Sequence, residues 1–365
     1  VKLLGDLFDQ NQLLSKDRWL LGRLLESQGQ AIEADAHFRA VLTELPDDSL
    51  YQGEFIARLI RLGQLNEATR RLDELRRRQP SAFTTLSLEL RLQAARDQGA
   101  SVVKRLEAEA ASAGGDAARL RQLAALAEDL SRSTLAERLH RQAAEREPQF
   151  LIELVHFLVR AKQVPAAFEV CQSAWTRLPA ETVAPVTMSL LAFPAGRAER
   201  LPQLEAKLVK AVEQNLPSML LLTNLADLRC WQERYSEAEE LYRRVLSGEP
   251  NHAVAANNLV WLLALRQRDL DDASQLIEKL IEQHGPIPQL LDTRGWVYLA
   301  LRRKKSAVTD FTAACDEAPS PSMLLHLAVA QAESNDLAAA QATLAEARRL
   351  GLKSDALPPL ERPWL

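Results

Sequence analysis

The strongest constraint on this chain is a proline that keeps returning where a helix-like stretch ends: Pro46, Pro80, Pro148, Pro179, Pro217, Pro250 and Pro319. Pro46 and Pro80 stand 34 residues apart, and Pro148 lies twice that distance beyond Pro80. Upstream of most of them sit a small residue twelve places back and a larger apolar one eight places back, as with Ala34, Phe38 and Pro46. A fixed period of this size points to a stack of supersecondary units rather than to globular domains of ordinary size.

One unit shows how the period folds. Leu222, Leu225, Ala226 and Leu228 make the apolar stripe of a first helix, Glu233 and Arg234 the turn, and Ala238, Leu241, Tyr242, Val245 and Leu246 the stripe of a second. Pro250 then closes the unit, because proline has no N–H for a continuing helix and disfavours the α conformation in the residue before it. Ala226 and Ala238 let the two backbones approach, so the unit reads as an antiparallel helical hairpin. Ala, Leu, Glu, Gln and Arg, all strong helix formers, dominate a composition with only 13 Gly in 365 residues.

These positions resemble the tetratricopeptide repeat. The pattern is met at Leu21, Gly22, Leu25, Ala34, Phe38 and Pro46, and at Leu59, Ala68, Leu72, Leu75 and Pro80. It returns at Ala124, Ala136, His140, Ala143 and Pro148, at Leu154, Ala167, Cys171, Ala174 and Pro179, at Gly295, Ala307, Phe311 and Pro319, and at Ala328, Ala340 and Leu344. The resemblance covers roughly residues 15 to 351. It implies an all-α fold, a right-handed α-solenoid of about nine or ten such hairpins. Three stretches depart from the pattern: 83–116 closes on Ala113-Gly114-Gly115 instead of proline, 184–217 carries the loop Phe193-Pro194-Ala195-Gly196, and the unit after Pro250 has a longer turn. The expected organisation is an N-terminal cap or helix end over 1–14, sub-arrays over 15–193 and 194–351, and a capping tail over 352–365. In that tail Leu352, Leu357, Leu360 and Trp364 are expected to cover the last hairpin, since a terminal repeat leaves a face open. The chain opens inside an apolar pattern (Val1, Leu3, Leu4, Leu7, Phe8) and stops at Trp364-Leu365, which reads as part of something longer.

A net charge of -4 argues against a general nucleic-acid binder, and no apolar run reaches the ~20 residues of a spanning helix. Cys171, Cys230 and Cys315 show neither a disulfide framework nor metal spacing. The six histidines lack ligand spacing, and His140, at a repeat position that faces the core, reads as a core side chain. Asp47-Asp48 and Asp271-Asp272 precede or open helices and read as caps. Arg76-Arg77-Arg78 and Arg302-Arg303-Lys304-Lys305 read as helix-end and turn charges. No catalytic constellation, cofactor site or metal site is expected.

The resemblance implies non-covalent binding of a protein or peptide segment along the concave face of the stack. The candidate contacts are aromatic: Trp231, Trp261 and Trp296 fall towards that face, where indoles anchor extended peptides or stack on sugar rings. Packing across the seam to the next repeat is the competing reading. Asn224, Asn257 and Asn258 stand where some relatives clamp a C-terminal carboxylate, but the neighbouring lysine positions hold Thr223, Asp227, Gln289 and Asp292, so that clamp is not expected. The segment around Trp261 and Trp296 also resembles bacterial arrays. From these follow two other readings: a scaffold of exopolysaccharide export that contacts a polysaccharide, and a regulatory array of a larger enzyme such as a kinase or glycosyltransferase. A bacterial cytoplasmic or periplasmic setting is expected.

Overall fold

The computed structural model describes residues 14–214 and 218–365. The apolar opening Val1 to Phe8 and the closing Pro217 lie outside the described residues, as does nearly all of the cap expected over 1–14.

Among the described residues, twenty α-helices follow one another with no strand. The first compact unit ends at Arg146. It contains α1 (Ser15–Ser27), α2 (Ala31–Glu44), α3 (Ser49–Arg61), α4 (Leu65–Arg78), α5 (Phe83–Ala95), α6 (Gly99–Ser112), α7 (Ala117–Asp129) and α8 (Ser133–Arg146). The second runs from Glu147 to Leu365. It contains α9 (Leu151–Arg160), α10 (Val164–Ala174), α11 (Ala180–Ser189), α12 (Arg197–Gln214), α13 (Met219–Trp231), α14 (Tyr235–Gly248), α15 (Ala253–Leu265), α16 (Leu270–His284), α17 (Pro288–Ala300), α18 (Lys304–Glu317), α19 (Pro321–Glu333) and α20 (Leu337–Arg349). Paired in order, these are ten hairpins of an all-α solenoid, matching the repeat count expected from the period.

The pairing of small and large residues is visible in the contacts. A Cβ added to Gly22 of α1 would come within 2.8 Å of Phe38 of α2, and one on Gly295 of α17 within 2.7 Å of Phe311 of α18. Ala226 and Tyr242 hold the same places in α13 and α14, both essentially without exposed surface. In sequence each of these pairs is sixteen residues apart. Nine of the ten hairpins close their turn in one way. One residue adopts the left-handed conformation, with φ +81° at Gly29, +61° at Glu233 and +59° at Arg302. The N–H of the next residue then reaches back to the carbonyl five places earlier: Gln30 to Leu25 (3.0 Å), Arg234 to Arg229 (2.8 Å) and Arg303 to Tyr298 (2.8 Å). This is a Schellman closure, which satisfies carbonyls that the helix end would leave bare. The exception is the α11–α12 hairpin, where a 3₁₀ turn (Leu190–Ala192) and the Phe193-Pro194-Ala195-Gly196 loop intervene.

Around that loop the buried core is continuous. A single buried cluster holds Ala184, Met188 and Leu191 from before it with Leu204, Leu208, Leu221, Leu225 and Leu228 from after it. Side chains on both sides of 193/194 thus share one core, and the two compact units are divided between Arg146 and Glu147.

Of the four carboxylates read as caps, one accepts from the first amides of its helix. Asp48 caps α3, accepting from the Leu50 and Tyr51 amides (2.9 and 3.3 Å), while Asp47 pairs with Arg78 at 2.5 Å. Asp271 and Asp272 lie in the first turn of α16. Lys304 pairs with Glu333 at 3.0 Å. His140 is buried, its Nε2 3.9 Å from a Glu128 oxygen. The three cysteines are buried and free. No described helix is long and apolar enough to cross a membrane.

Candidate functional site

In the second unit the first helices of successive hairpins, α13, α15 and α17, lie side by side and present one face to a groove of about 680 Å³. The helical period decides what reaches it. From α13 come Leu220, Thr223, Asn224, Asp227 and Trp231, and from α15 Val254, Asn257, Asn258 and Trp261, each set spaced by three or four residues. Gln289, Asp292 and Thr293 of α17 continue the wall, and Pro358 and Glu361 of the tail close one end.

Five of the six residues singled out in the sequence therefore meet in one groove: Trp231, Trp261, Asn224, Asn257 and Asn258. Trp231 is half-buried, with the Arg197 guanidinium 4.4 Å from its ring centroid. Trp261 is also half-buried, and its indole N–H donates to Glu361 Oε1 at 2.9 Å. Asn224 is buried and donates to the Leu220 carbonyl at 2.8 Å, which fixes its amide plane in the wall. Asn258 donates to Asp227 Oδ1 at 2.9 Å. Asn257 donates to Asn258 at 3.4 Å, long for a hydrogen bond, and its own Oδ1 is buried without a donor.

Trp296 stands apart from the other five. Only 2% of it is exposed, and it is packed among Phe311 (5.8 Å between centroids), His326 (5.0 Å) and Trp364 (5.6 Å). The three indoles do not even occupy one repeat position. Trp261 and Trp296 each follow the small-residue site of their helix, where α13 has Asp227, whereas Trp231 comes a full turn later. The three indoles are thus a pair of half-buried rings in the groove and a third packed against Trp364 of the tail.

The polar residues of the groove form a register that residue-by-residue reading missed. Two places before the small-residue site stand Asn224, Asn258, Thr293 and His326 in four successive first helices. A polar residue recurring at one repeat position was the available signal. Asp227 is held by Asn258 and by the Tyr242 hydroxyl, which donates to the same oxygen; burial pushes its carboxyl pKa up despite these two bonds. His326 is the most constrained group. Its Nδ1 lies 2.8 and 3.0 Å from the two Asp292 oxygens, and its Nε2 lies 3.4 Å from Glu361 Oε2. Burial works against the imidazolium, but Asp292 and Glu361 outweigh it and push the pKa up to about 10. His326 is therefore a buried cation between two carboxylates at neutral pH, one from α17 and one from the tail.

Chemically the site offers aromatic faces for stacking, fixed amide groups for hydrogen bonding, and compensated charge. Among the described residues no cluster of His, Cys, Asp and Glu is arranged to hold a metal ion.

No protein-family model and no curated protein sequence matches the chain. Among solved structures it is similar to a tetratricopeptide repeat protein from Parabacteroides merdae ATCC 43184, at 15% identity over 80% of this chain and 98% of that one, with a TM-score of 0.47. It is similar to a thermophilic TPR protein of Thermus thermophilus, at 18% identity over 44% and 88%, TM-score 0.39. A third similarity is to MamA from Desulfovibrio magneticus RS-1, at 15% identity over 45% and 92%, TM-score 0.36. The seating of Gly295 under Phe311, repeated by Gly22 under Phe38 and by Ala226 beside Tyr242, with a proline beyond most second helices, gives these hairpins the small-on-large packing expected from their resemblance to the tetratricopeptide repeat.

Proposed function

We propose that this chain is a non-catalytic scaffold that binds an extended protein segment in the groove of its second unit. The observation that supports this most directly is the convergence of Trp231, Trp261, Asn224, Asn257 and Asn258 on one open groove. Half-open indoles give a segment large rigid contact surfaces, and a buried Asn257 oxygen without a donor is an acceptor for its backbone N–H groups. The polarity of the wall sets this groove apart from a carboxylate clamp: its acidic side chains are Asp227, Asp292 and Glu361, with no Lys or Arg among the described lining residues.

The test is selection of 12-residue peptides from a display library against the full chain. Selected peptides are expected to bind Trp231→Ala and Asn257→Ala at least tenfold more weakly than wild type, with melting temperatures nearly unchanged. Equal binding to both variants, or a library that yields no binder, rejects the groove as the site.

A further inference from the structure

Pro358 and Glu361 of the tail line part of the groove, and the tail's polar attachment is narrow. Leu357 and Glu361 are buried, while Trp364 and Leu365 remain 38% and 39% exposed. Its backbone bonds past Leu352 close on itself, in short turns such as Glu361 N–H to Pro358 and Trp364 N–H to Glu361. Among the described residues, the tail's hydrogen bonds and ion pairs to the groove helices are those of Glu361, to Trp261 and His326. Leu357 belongs to the buried core itself, and Leu352 and Leu360 pack against it.

The polar half of this attachment is a single carboxylate. His326 Nδ1 lies 2.8 Å from Asp292 of α17, a contact that does not involve the tail. Buried ion pairs also recover little net stability after desolvation, and their better-attested use is to select one arrangement over another. Beneath the tail, Trp296 sits at the repeat position that Trp261 fills in the preceding unit, with the Trp364 ring over it. The tail thus supplies a carboxylate to His326 and Trp261 and, three residues on, a ring to Trp296.

Building on the reading of the groove as a segment-binding site, we propose that residues 357–365 are a displaceable occupant of its end. The partner segment offers the same pair, a carboxylate and an aromatic ring three residues later, and takes their place on His326, Trp261 and Trp296. Binding then uncovers Trp296 from its own tail and covers it with the partner. A tethered tail competes at an effective concentration of roughly millimolar, so the intact tail screens the site against weak segments.

The probe is a fluorescein-labelled peptide of residues 357–365, titrated by anisotropy against the full chain and against full chains bearing Glu361→Gln or Trp364→Ala. Glu361→Gln is expected to bind the peptide at least tenfold more tightly than wild type, because its own tail competes less. Replacing the peptide's glutamate by glutamine, or its tryptophan by alanine, should remove at least tenfold. His326→Gln combined with Glu361→Gln should abolish the gain. Should Glu361→Gln fail to fold by circular dichroism, Trp364→Ala, which alters a partly exposed ring, gives the same readout. Equal affinity of wild type and the folded variants, or no binding to any, overturns the proposal. If the tail peptide fails while library peptides still depend on Trp231 and Asn257, the groove stands and the tail's role falls. If the reverse holds, the tail site stands alone.

Discussion

At the scale of single residues, the same indole side chain has different meanings according to what lies over it. Trp296 is packed against Phe311 and His326 with its N–H buried and lacking an acceptor, whereas Trp231 is half-open. Trp296→Ala is therefore expected to cost about 3 to 5 kcal/mol of stability, as large-to-small core changes do, and Trp231→Ala much less; chemical denaturation of both variants measures the difference. His326 adds a pH dependence with a definite sign. Its folded pKa, near 10, lies above the ordinary value of 6.5, so its stabilising contribution is complete below pH 6.5 and is lost as pH rises towards 10. The loss is at most about 1.4 kcal/mol per pH unit in that window. Hydrogen exchange, corrected for its intrinsic pH dependence, should show weakening protection of α19 and the tail between about pH 7 and 10, and His326→Gln should flatten that trend. The groups that face His326 are Asp292 and Glu361, and neither was legible as its partner in the sequence. Periodicity puts Asp292 on a helix face, but nothing local brings Glu361 across from a tail 35 residues beyond His326 and 100 residues beyond Trp261. By contrast the pairings of Gly22 with Phe38 and Gly295 with Phe311 were legible, because they are made inside a single hairpin at fixed spacing.

At the scale of the hairpin, the prolines and the small residues told where helices end and where they touch, but not how the turns are made. The αL position holds Gly at Gly29 and Gly63, yet Asp97, Ser131, Lys162, Glu233, Gln267, Arg302 and Asn335 hold the same place with φ between +52° and +65°. No residue type marks the position, so glycine-based turn reading finds only two of these nine. The left-handed conformation costs an L-residue roughly 1 kcal/mol or more, which glycine escapes in exchange for greater unfolded entropy. A Cβ on Gly63 would meet nothing within 4 Å, so a substitution there isolates the backbone effect. Gly63→Ala is expected to lower stability by about 1 kcal/mol, and Glu233→Gly to raise it by a few tenths up to about 1 kcal/mol. Thermal denaturation of the pair checks both signs, and a gain in Gly63→Ala would contradict the assigned turn.

At the scale of the whole molecule, the number of units follows from the 34-residue period, whereas the continuity of packing across a loop does not follow from local punctuation. The sequence marks Phe193–Gly196 as a break because proline and glycine interrupt a helix, but apolar residues from both sides share a core there. Local punctuation reports where a helix stops; burial across the loop decides whether packing stops with it. In a stack each hairpin touches only its neighbours, so stability is the sum of unit and nearest-neighbour contributions and damage should fade along the chain. The first unit offers a clean case. Ile56 of α3 is fully buried in a cluster that also contains Phe38, Leu59, Leu72 and Leu88. Ile56→Ala removes about 2 to 5 kcal/mol of packing, enough to raise local opening strongly in the helices that share this core. Native-state hydrogen exchange should therefore speed up in α1 to α5 by at least about tenfold, with a progressively smaller change in α6 and little in α7 and α8. A uniform acceleration through α8 would show that the first unit opens as one cooperative block, and would reject nearest-neighbour stacking as the description of its stability.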